Sequence, residues 1–492
     1  MSLIDQNPWW RNSESIYLDK HILEFEKNEV KWNPRIRHYF DLESHLIYTL
    51  RGPRQVGKTT LMKQIIREML EKGVSPRRLF YYTCDLIENP SKLVDIIEQY
   101  LDLTEFITEY SRYIFLDEVS AIPNWQRGIK HLSDLGKFEN ITIIMTGSHS
   151  LDIRKAAERL PGRRGKSSTA TLDKVLLPMK FSEYVDTMDK DLETLVLSYD
   201  LRKRETRQQM LESLQKGTIP KTIKEITLHF GDLNHLFDNY LYTGGVPRAI
   251  NDYYKEGRIT EGTYSTYVDI TIGDFLRWNK KETYLAQLIT RLNDTLTTQV
   301  SWKTLQKQTD IGSPNTVADY IDVLRASYVV NPIYVVDRSK QRPNYSKEKK
   351  IAFTDPFIFH ALRGWVKQVP SFEEAQRFNE SQEKTKLVES IICDHLIRFA
   401  YSLSPVDNFE PASKVMYWKD RKGEVDYILR YKDSYMPFEV KYTSSITRSE
   451  INGMYTFTRT NPMYKGIIIT RDLLKAEKGV IAIPASVFLL LI

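Results

Sequence analysis

The sequence predicts an α/β protein built from several domains, and three observations lead to that prediction. A glycine-rich loop, residues 52–59, follows an apolar strand and precedes an amphipathic helix. Strands and helices then alternate to about residue 179, which is the pattern of a parallel sheet. Further on, residues 423–442 predict a hairpin that carries carboxylates. At 492 residues, the chain is too long for one core.

Composition sets the broad class of the protein. A hydrophobic content of 41% with 27% charged residues is typical of a folded chain, and the net charge of +6 is a mild indication of an anionic partner. Two cysteines, Cys84 and Cys393, exclude a disulfide framework and favour a reducing compartment. With no apolar run near the roughly 20 residues of a membrane span and no signal core, we expect a cytoplasmic protein without a membrane partner. The closing VIAIPASVFLLLI predicts a buried final strand.

The loop from Gly52 to Thr59 has the spacing G-x-x-x-x-G-K-T in a strand–loop–helix setting. Its glycines let backbone N–H groups wrap phosphates, and the helix N-terminus adds partial positive charge. Lys58 is predicted to reach the β- and γ-phosphates, and the Thr59 hydroxyl to ligate magnesium. We therefore expect ATP and Mg²⁺ as cofactors. The predicted nucleotide-binding residues are Gly52, Pro53, Arg54, Gln55, Val56, Gly57, Lys58, Thr59 and Thr60.

A pair of acids follows the buried run Tyr113–Leu116. Asp117 is predicted to hold the magnesium through its water shell, and Glu118 to polarise the attacking water. The presence of both acids favours hydrolysis over nucleotide sensing alone.

Another buried strand, 141–145, ends in the polar residues Thr146-Gly147-Ser148. These residues either contact the γ-phosphate or the attacking water, or Ser148 or Ser150 caps the next helix. The sequence leaves both interpretations open.

Six segments together resemble a known family. GPRQVGKTTL, IFLDEV, IIMTGSHS, ERLPGRRG, LLPMKFSEYV and YTGGVPRAI occur in this order. They closely resemble the prokaryotic AAA+ ATPases that carry a nuclease-like C-terminal domain. The resemblance implies a homo-oligomer, a hexameric ring being one form, with ATP at the subunit interfaces. It also implies an arginine inserted from the neighbouring subunit, for which Arg163 is favoured over Arg164; a solvated basic loop is the alternative. Arg248 follows the glycine–proline turn Gly244–Pro247 at a position where the family more often has an acid, which leaves its role open.

The middle of the chain predicts a helical lid over 180–280 and a winged helix over 281–366. A helix near Leu305, a turn with Gly312 and Pro314, and a helix over 315–327 form a helix-turn-helix outline. A strand over 329–336 and a basic wing follow. DNA contact would use the start of the second helix and the wing, whereas docking of a protein is the alternative. The DNA-contacting candidates are Ser313, Asn315, Thr316, Arg338, Lys340, Arg342, Lys347, Lys349 and Lys350.

The hairpin GEVDYILRYKDSYMPFEVKY carries Asp426 on its first strand and Glu439 and Lys441 on its second. Period two places Glu439 and Lys441 on one face, and Glu389 lies at the edge of an apolar helical stripe. Asp426 and Glu439 are predicted to bind magnesium, Glu389 to hold a second ion or a water, and Lys441 to activate the attacking water. The set resembles the restriction-endonuclease-like fold, and with Glu389 the archaeal Holliday-junction resolvases. A salt-bridged hairpin face is the alternative, since Glu29–Lys31 has the same tripeptide without such a setting.

These observations predict five regions: an N-terminal extension (1–44), the AAA+ ATPase core (45–179), the helical lid (180–280), the winged helix (281–366) and the restriction-endonuclease-like domain (367–492). The expected function is an ATP-hydrolysing, DNA-binding protein with a metal-dependent nuclease for duplex or branched DNA. The alternatives are an ATP-switched regulator or a DNA translocase whose C-terminal domain does not cleave.

Overall fold

A computed structural model describes residues 2–107, 110–147, 171–421, 423–432, 434–477 and 479–492. The chain divides into two compact units, 1–177 and 178–492. The regions predicted as lid, winged helix and nuclease-like domain all lie within the second unit. Within the described ranges, no helix combines the length and the apolar character that a membrane crossing requires.

The first unit is built around a parallel sheet whose described strands lie in the order β2-β3-β4-β1-β5. Nearly every strand residue is buried, as expected for a parallel sheet covered on both faces. The parallel sheet predicted from the sequence is therefore confirmed. Its strands are β1 (Ile47–Arg51), β2 (Leu79–Thr83), β3 (Arg112–Asp117), β4 (Ile141–Thr146) and β5 (Asp173–Val175). The α-helices among the described residues of this unit are Leu3–Gln6, Lys20–Lys27, Lys58–Glu71, Pro90–Leu103 and Gln126–Asp134.

The N-terminal segment closes the edge of this sheet at β2 through side chains. The Asn7 carboxamide accepts the N–H of Tyr81 at 2.6 Å and donates to the carbonyl of the same residue at 2.9 Å. The indole N–H groups of Trp9 and Trp10 donate to the Leu79 carbonyl at 3.0 and 2.8 Å. Unpaired backbone groups of an edge strand are liable to pair with another chain. The N-terminal segment covers these groups on β2 and so protects the edge of the sheet.

The second unit begins with helices that are held by a turn at Gly244–Pro247. The Met179 N–H donates to the Gly245 carbonyl at 2.8 Å, and the Gly245 N–H donates to Asp355 at 2.8 Å. A Cβ on Gly245 would lie 2.0 Å from the Met179 oxygen, so glycine is required. The α-helices of this unit are Phe181–Met188, Lys190–Ser198, Arg204–Gln215, Lys221–Ile226, Phe230–Thr243, Pro247–Glu256, Glu261–Arg277, Glu282–Asp294, Trp302–Gln306, Pro314–Ala326, Pro356–Lys367, Ser371–Glu380, Lys384–Leu403, Asn452–Thr460 and Ala485–Leu491.

The segment predicted as a winged helix contains two successive helices, Trp302–Gln306 and Pro314–Ala326. Strand β6 (Val330–Tyr334) pairs antiparallel with β9 (Lys349–Phe353), and the short strands β7 (Val336–Asp337) and β8 (Arg342–Pro343) pair with each other.

The assignment of Lys349 and Lys350 to an exposed basic wing is wrong, because both belong to β9 and are 3% exposed. Alternation along the strand points them to opposite faces. The Lys349 ammonium lies 4.0 Å from the centre of the Trp302 ring. Lys350 points instead into the carboxylate cluster described below.

The C-terminal sheet is mixed, with the order β10-β11-β12-β13-β15-β14. The predicted buried final strand is only half right. Pro484, which has no N–H to continue a ladder, ends a strand and precedes the helix Ala485–Leu491. The strands are β10 (Val415–Lys419), β11 (Glu424–Tyr431), β12 (Ser434–Lys441), β13 (Gly466–Thr470), β14 (Lys475–Glu477) and β15 (Val480–Pro484).

Candidate functional site

The loop after β1 is held close to the end of β5. A Cβ on Gly52 would lie 2.0 Å from the Leu176 carbonyl oxygen, so only glycine fits where the loop begins. The buried Lys58 ammonium donates to the carbonyls of Gly52 at 3.0 Å and Pro53 at 2.9 Å. The helix Lys58–Glu71 starts at this lysine, which places a helix N-terminus beside the loop. This is the geometry that binds phosphate groups.

Asp117, at the end of β3, accepts hydrogen bonds from three hydroxyl groups. Thr59 donates to it at 2.7 Å, Tyr81 donates at 3.0 Å, and Thr146 also donates to it. Strand β4 lies between β1 and β3, so Thr146 at its end stands between the phosphate loop and the acid pair. The sheet therefore brings Lys58, Thr59 and Asp117 to one edge.

Glu118 follows Asp117 in a left-handed backbone conformation with φ of 54°. Its N–H donates to the Thr146 hydroxyl at 3.1 Å. A non-glycine residue rarely adopts such a conformation without surrounding contacts that hold it. Thr146 thus contacts both acids, consistent with a site role for the polar end of β4. The alternative helix caps, Ser148 and Ser150, lie outside the described residues, as do Arg163 and Arg164.

Tyr81 is a member of this site that sequence reasoning missed. Its backbone is fixed by Asn7, and its ring lies 3.4 Å from the Lys63 ammonium, which pairs with Asp19 at 3.1 Å. Burial and the charge of Asp117 raise the pKa of the Tyr81 hydroxyl, so the group stays protonated and donates to Asp117. A tyrosine in an apolar strand carries no local signal for this role.

The Thr59 hydroxyl and the Asp117 carboxylate fit a magnesium ion bound together with a nucleotide. They are hard oxygen donors of the kind that Mg²⁺ prefers, and they are already 2.7 Å apart.

A second polar cluster lies on the C-terminal sheet, where all four residues predicted for the nuclease site approach one another. The Val440 N–H donates to Asp426 at 3.0 Å, and the Asp426 N–H donates to Glu439 at 3.3 Å. Lys441 forms an ion pair with Glu439 at 2.7 Å. Glu389 reaches the cluster from the helix Lys384–Leu403, and its carboxylate accepts from the Thr297 hydroxyl at 2.9 Å.

Lys350 lies in the middle of this cluster, a position that the sequence did not predict. Its ammonium pairs with Asp426 and Glu424 at 2.8 Å each and with Glu389 at 3.2 Å. Burial lowers the pKa of Lys350, but the three carboxylates more than offset this and hold the pKa well above its ordinary value. The ammonium is therefore charged.

The carboxyl groups respond to burial and to each other. Burial and the charge of Asp426 raise the pKa of Glu389 to about 7 and that of Glu439 to about 8. Burial also raises the pKa of Asp426, but Lys350 and Lys441 outweigh it and hold that pKa below its usual value. Asp426 is the residue that carries the negative charge of the cluster most firmly.

The predicted metal ligands Asp426 and Glu439, with Glu389 predicted for a second ion or a water, do not fit a divalent ion in this arrangement. Across the described ranges, no group of three or more His, Cys, Asp or Glu side chains is arranged to hold a metal. The physical reason is Lys350, whose ammonium takes the place between the carboxylates that a cation would need. The second Glu-Val-Lys, at 29–31, lies outside any helix or strand, and its Lys31 pairs with Glu26 at 2.8 Å.

Comparison with known families and proteins places the first unit. Residues 44–185 match the model of an AAA domain. Residues 234–369 and 384–488 each match a domain of unknown function, DUF8612 and DUF4143 respectively. The uncharacterized protein MJ1637 of Methanocaldococcus jannaschii is 25% identical over 468 residues, which are 93% of this chain and 87% of that protein.

Two solved structures show a weaker likeness. The Walker-type ATPase PABY2304 of Pyrococcus abyssi is 13% identical with a TM-score of 0.38, covering 64% of this chain and 91% of that one. The Aeropyrum pernix Orc1 protein, solved in complex with DNA, is 13% identical with a TM-score of 0.28, covering 64% and 86%. The family match and the geometry around Lys58 and Asp117 lead to one identification: residues 44–185 are an ATPase domain of the AAA family.

Proposed function

We propose that this protein hydrolyses ATP at the loop 52–60 and uses its nucleotide state to act on DNA. The observation that carries the proposal is the convergence at one sheet edge of Lys58 and Thr59 after β1, Asp117 and Glu118 after β3, and Thr146 at the end of β4. The site thus combines phosphate-binding groups with a pair of acids.

Each residue has a distinct task in this proposal. Lys58 and the N–H groups of the loop bind the phosphates, and Glu118 accepts a proton from the attacking water. Thr146 orients the Asp117 carboxylate and holds the backbone of Glu118. Thr59 and Asp117 hold Mg²⁺, which neutralises charge on the phosphates when it is bound.

The resemblance noted from the sequence adds a subunit neighbour to the proposal. In a homo-oligomer such as a ring, Arg163 of one subunit would approach the ATP phosphates bound by the neighbouring subunit. An arginine there stabilises charge that develops on the transferred phosphoryl group. Replacement of Arg163 by alanine is expected to abolish turnover but leave nucleotide binding intact.

DNA binding is proposed for the two successive helices Trp302–Gln306 and Pro314–Ala326. Ser313 caps the second helix by accepting from the Thr316 N–H at 3.1 Å, and Asn315 is exposed beside it. The exposed residues of the following hairpin, among them Lys340 and Arg342, add positive charge for phosphate contacts. Together these groups support a winged-helix mode of binding.

The test is ATP turnover with and without duplex, single-stranded and four-way-junction DNA. Wild type is compared with Lys58→Ala, which is expected to lose ATP binding, and Glu118→Gln, which is expected to bind ATP without hydrolysing it. Stimulation by DNA that disappears in Asn315→Asp supports the proposal. The proposal would be refuted if the protein did not bind DNA at low salt and DNA did not change its rate of ATP turnover.

Metal-dependent DNA cleavage at the C-terminal cluster is a second candidate, favoured by the meeting of Glu389, Asp426, Glu439 and Lys441. In that function, Lys441 would orient the attacking water, and the acids would hold an ion only with the Lys350 ammonium removed from between them. Cleavage of DNA with magnesium or manganese that is lost in Lys441→Ala but retained in Lys58→Ala would support it. The absence of cleavage under any metal favours the ATP-switched regulator or translocase.

A further inference from the structure

A buried lysine from outside the C-terminal sheet neutralises the acids of the cluster. Lys350 belongs to β9, yet its ammonium is within 3.2 Å of Glu389 on the helix Lys384–Leu403 and of Glu424 and Asp426 on β11. Its side chain is only 4% exposed. An ion buried to this degree persists in a protein only when opposite charges surround it, and here three carboxylates do so.

The cluster is built to hold a cation from several directions. The oxygens that do not face Lys350 have partners of their own: Thr297 donates to Glu389, the Gln299 amide donates to Glu424, and the Val440 N–H donates to Asp426. The carboxylates are thereby aimed at the ammonium. The three carboxylates come from a helix and a strand, so the alternation of side chains along one strand does not explain why they converge.

We propose that Lys350 is the built-in cation of this site, and that its ammonium and a divalent metal ion exclude each other there. The site takes up a hard divalent cation only when the Lys350 side chain is withdrawn. This inference rests on the second candidate function, since it names the regulation of the same carboxylates. It accounts for a set of metal-binding residue types that is not arranged to bind metal.

Lys350 lies close to a basic hairpin in the chain and to a polar cleft in the fold. Residues 338–348 form the exposed basic hairpin immediately before β9, and β9 pairs with β6 next to the two helices proposed to bind DNA. A polar cleft of about 500 Å³, lined in part by Glu389, Glu424 and Lys419, opens beside the cluster. With the Lys350 ammonium gone, a hydrated ion would reach the carboxylates through this cleft.

The experiment measures Mn²⁺ binding to nucleotide-free full-length protein by isothermal titration calorimetry and by electron paramagnetic resonance. Wild type is compared with Lys350→Met, which keeps the length of the side chain and removes its charge. The matched control is Lys349→Met, the neighbouring buried lysine whose side chain lies over Trp302. We expect Lys350→Met to bind one Mn²⁺ at least about tenfold more tightly than wild type and the control, and to lose that binding on Asp426→Asn.

Thermal unfolding supplies a second readout, because removing the Lys350 ammonium leaves the buried carboxylates without the positive charge that neutralises them. Lys350→Met is expected to melt below wild type and to regain roughly 5 °C with millimolar Mn²⁺, whereas wild type gains nothing. Tight Mn²⁺ binding by wild type that Asp426→Asn abolishes would overturn the proposal. So would a Lys350→Met protein that binds no metal, or one that stays unfolded in the presence of the metal.

The outcome is separable from that of the cleavage assay. If Lys350→Met binds Mn²⁺ and cuts no DNA, the exclusion of metal by Lys350 stands and the nuclease function fails. If wild type cuts DNA through Lys441 and Lys350→Met binds metal no better than wild type, the nuclease function stands and the exclusion fails.

Discussion

Replacing Tyr81 with phenylalanine tests how Asp117 is held in the ATPase site. When Mg²⁺ and ATP are bound, the Thr59 hydroxyl is expected to turn to the metal. Asp117 then depends on Tyr81 and Thr146, whose hydroxyl groups both donate to it. A hydrogen bond to a charged group contributes about 1.5–3 kcal/mol, and about 1.4 kcal/mol corresponds to a factor of ten in rate. We therefore expect Tyr81→Phe to lower kcat by about tenfold or more and to raise the Mg²⁺ concentration at half-maximal rate.

The assay is steady-state ATP hydrolysis over a range of Mg²⁺ concentrations, together with the Kd of a fluorescent nucleotide. The Kd should change little, because Tyr81 contacts the acid and not the phosphate loop. Tyr82→Phe is the matched control, since alternation along β2 points this neighbour to the opposite face. Equal kcat and equal Mg²⁺ dependence in the two variants would refute the role of Tyr81.

Three further predictions concern stability, each measured by denaturant unfolding. Gly245→Ala should lower the free energy of unfolding by about 3 kcal/mol because its Cβ would meet a carbonyl oxygen at 2.0 Å, whereas Gly262→Ala, which has open space, should be neutral or slightly stabilising. Burial lowers the pKa of His360 to about 3. Below pH 6.5 the unfolded chain therefore binds a proton that the folded protein does not, and the free energy of unfolding falls as the pH falls. His360→Gln should reduce the loss of unfolding free energy between pH 7 and 5 by about 2 kcal/mol. Asn7→Ala should cost about 2 kcal/mol by leaving the Tyr81 N–H unpaired, and an unchanged unfolding midpoint would contradict the edge-closing role of the N-terminal segment.

The nucleotide site could be predicted from sequence because its signals are local. The loop 52–59, its flanking strand and helix, and the acids after β3 each occupy a continuous stretch, and strand order follows from alternation with helices. The contacts of Asn7 and Tyr81 with the site are different in kind. They join residues 74 apart through a side chain that imitates a neighbouring strand, and no periodicity encodes such a pair.

The C-terminal cluster shows a second limit of sequence reasoning. Glu389, Asp426, Glu439 and Lys441 were found because strand alternation and a helical stripe place them on defined faces. The sequence places Lys350 on a basic surface because it ends a run of charged residues. Its direction depends on the register of β9 against β6, where Lys350 lies opposite Ile333, and the tertiary fold then decides what it faces.

The two carboxylate sites differ in the charge of their hydrogen-bond donors, although the sequence predicts a metal at both. The bonds that hold Asp117 come from hydroxyl groups, which are neutral, so they position the carboxylate and leave its charge available to an incoming cation. The bonds that hold Asp426 include the ammonium of Lys350, which neutralises as it positions. A divalent ion gains the attraction of Asp117 without displacing a charge, whereas at Asp426 it must first displace one. We therefore expect the first site to accept a metal–nucleotide complex in the arrangement described, and the second to accept a divalent ion only when the Lys350 ammonium is removed.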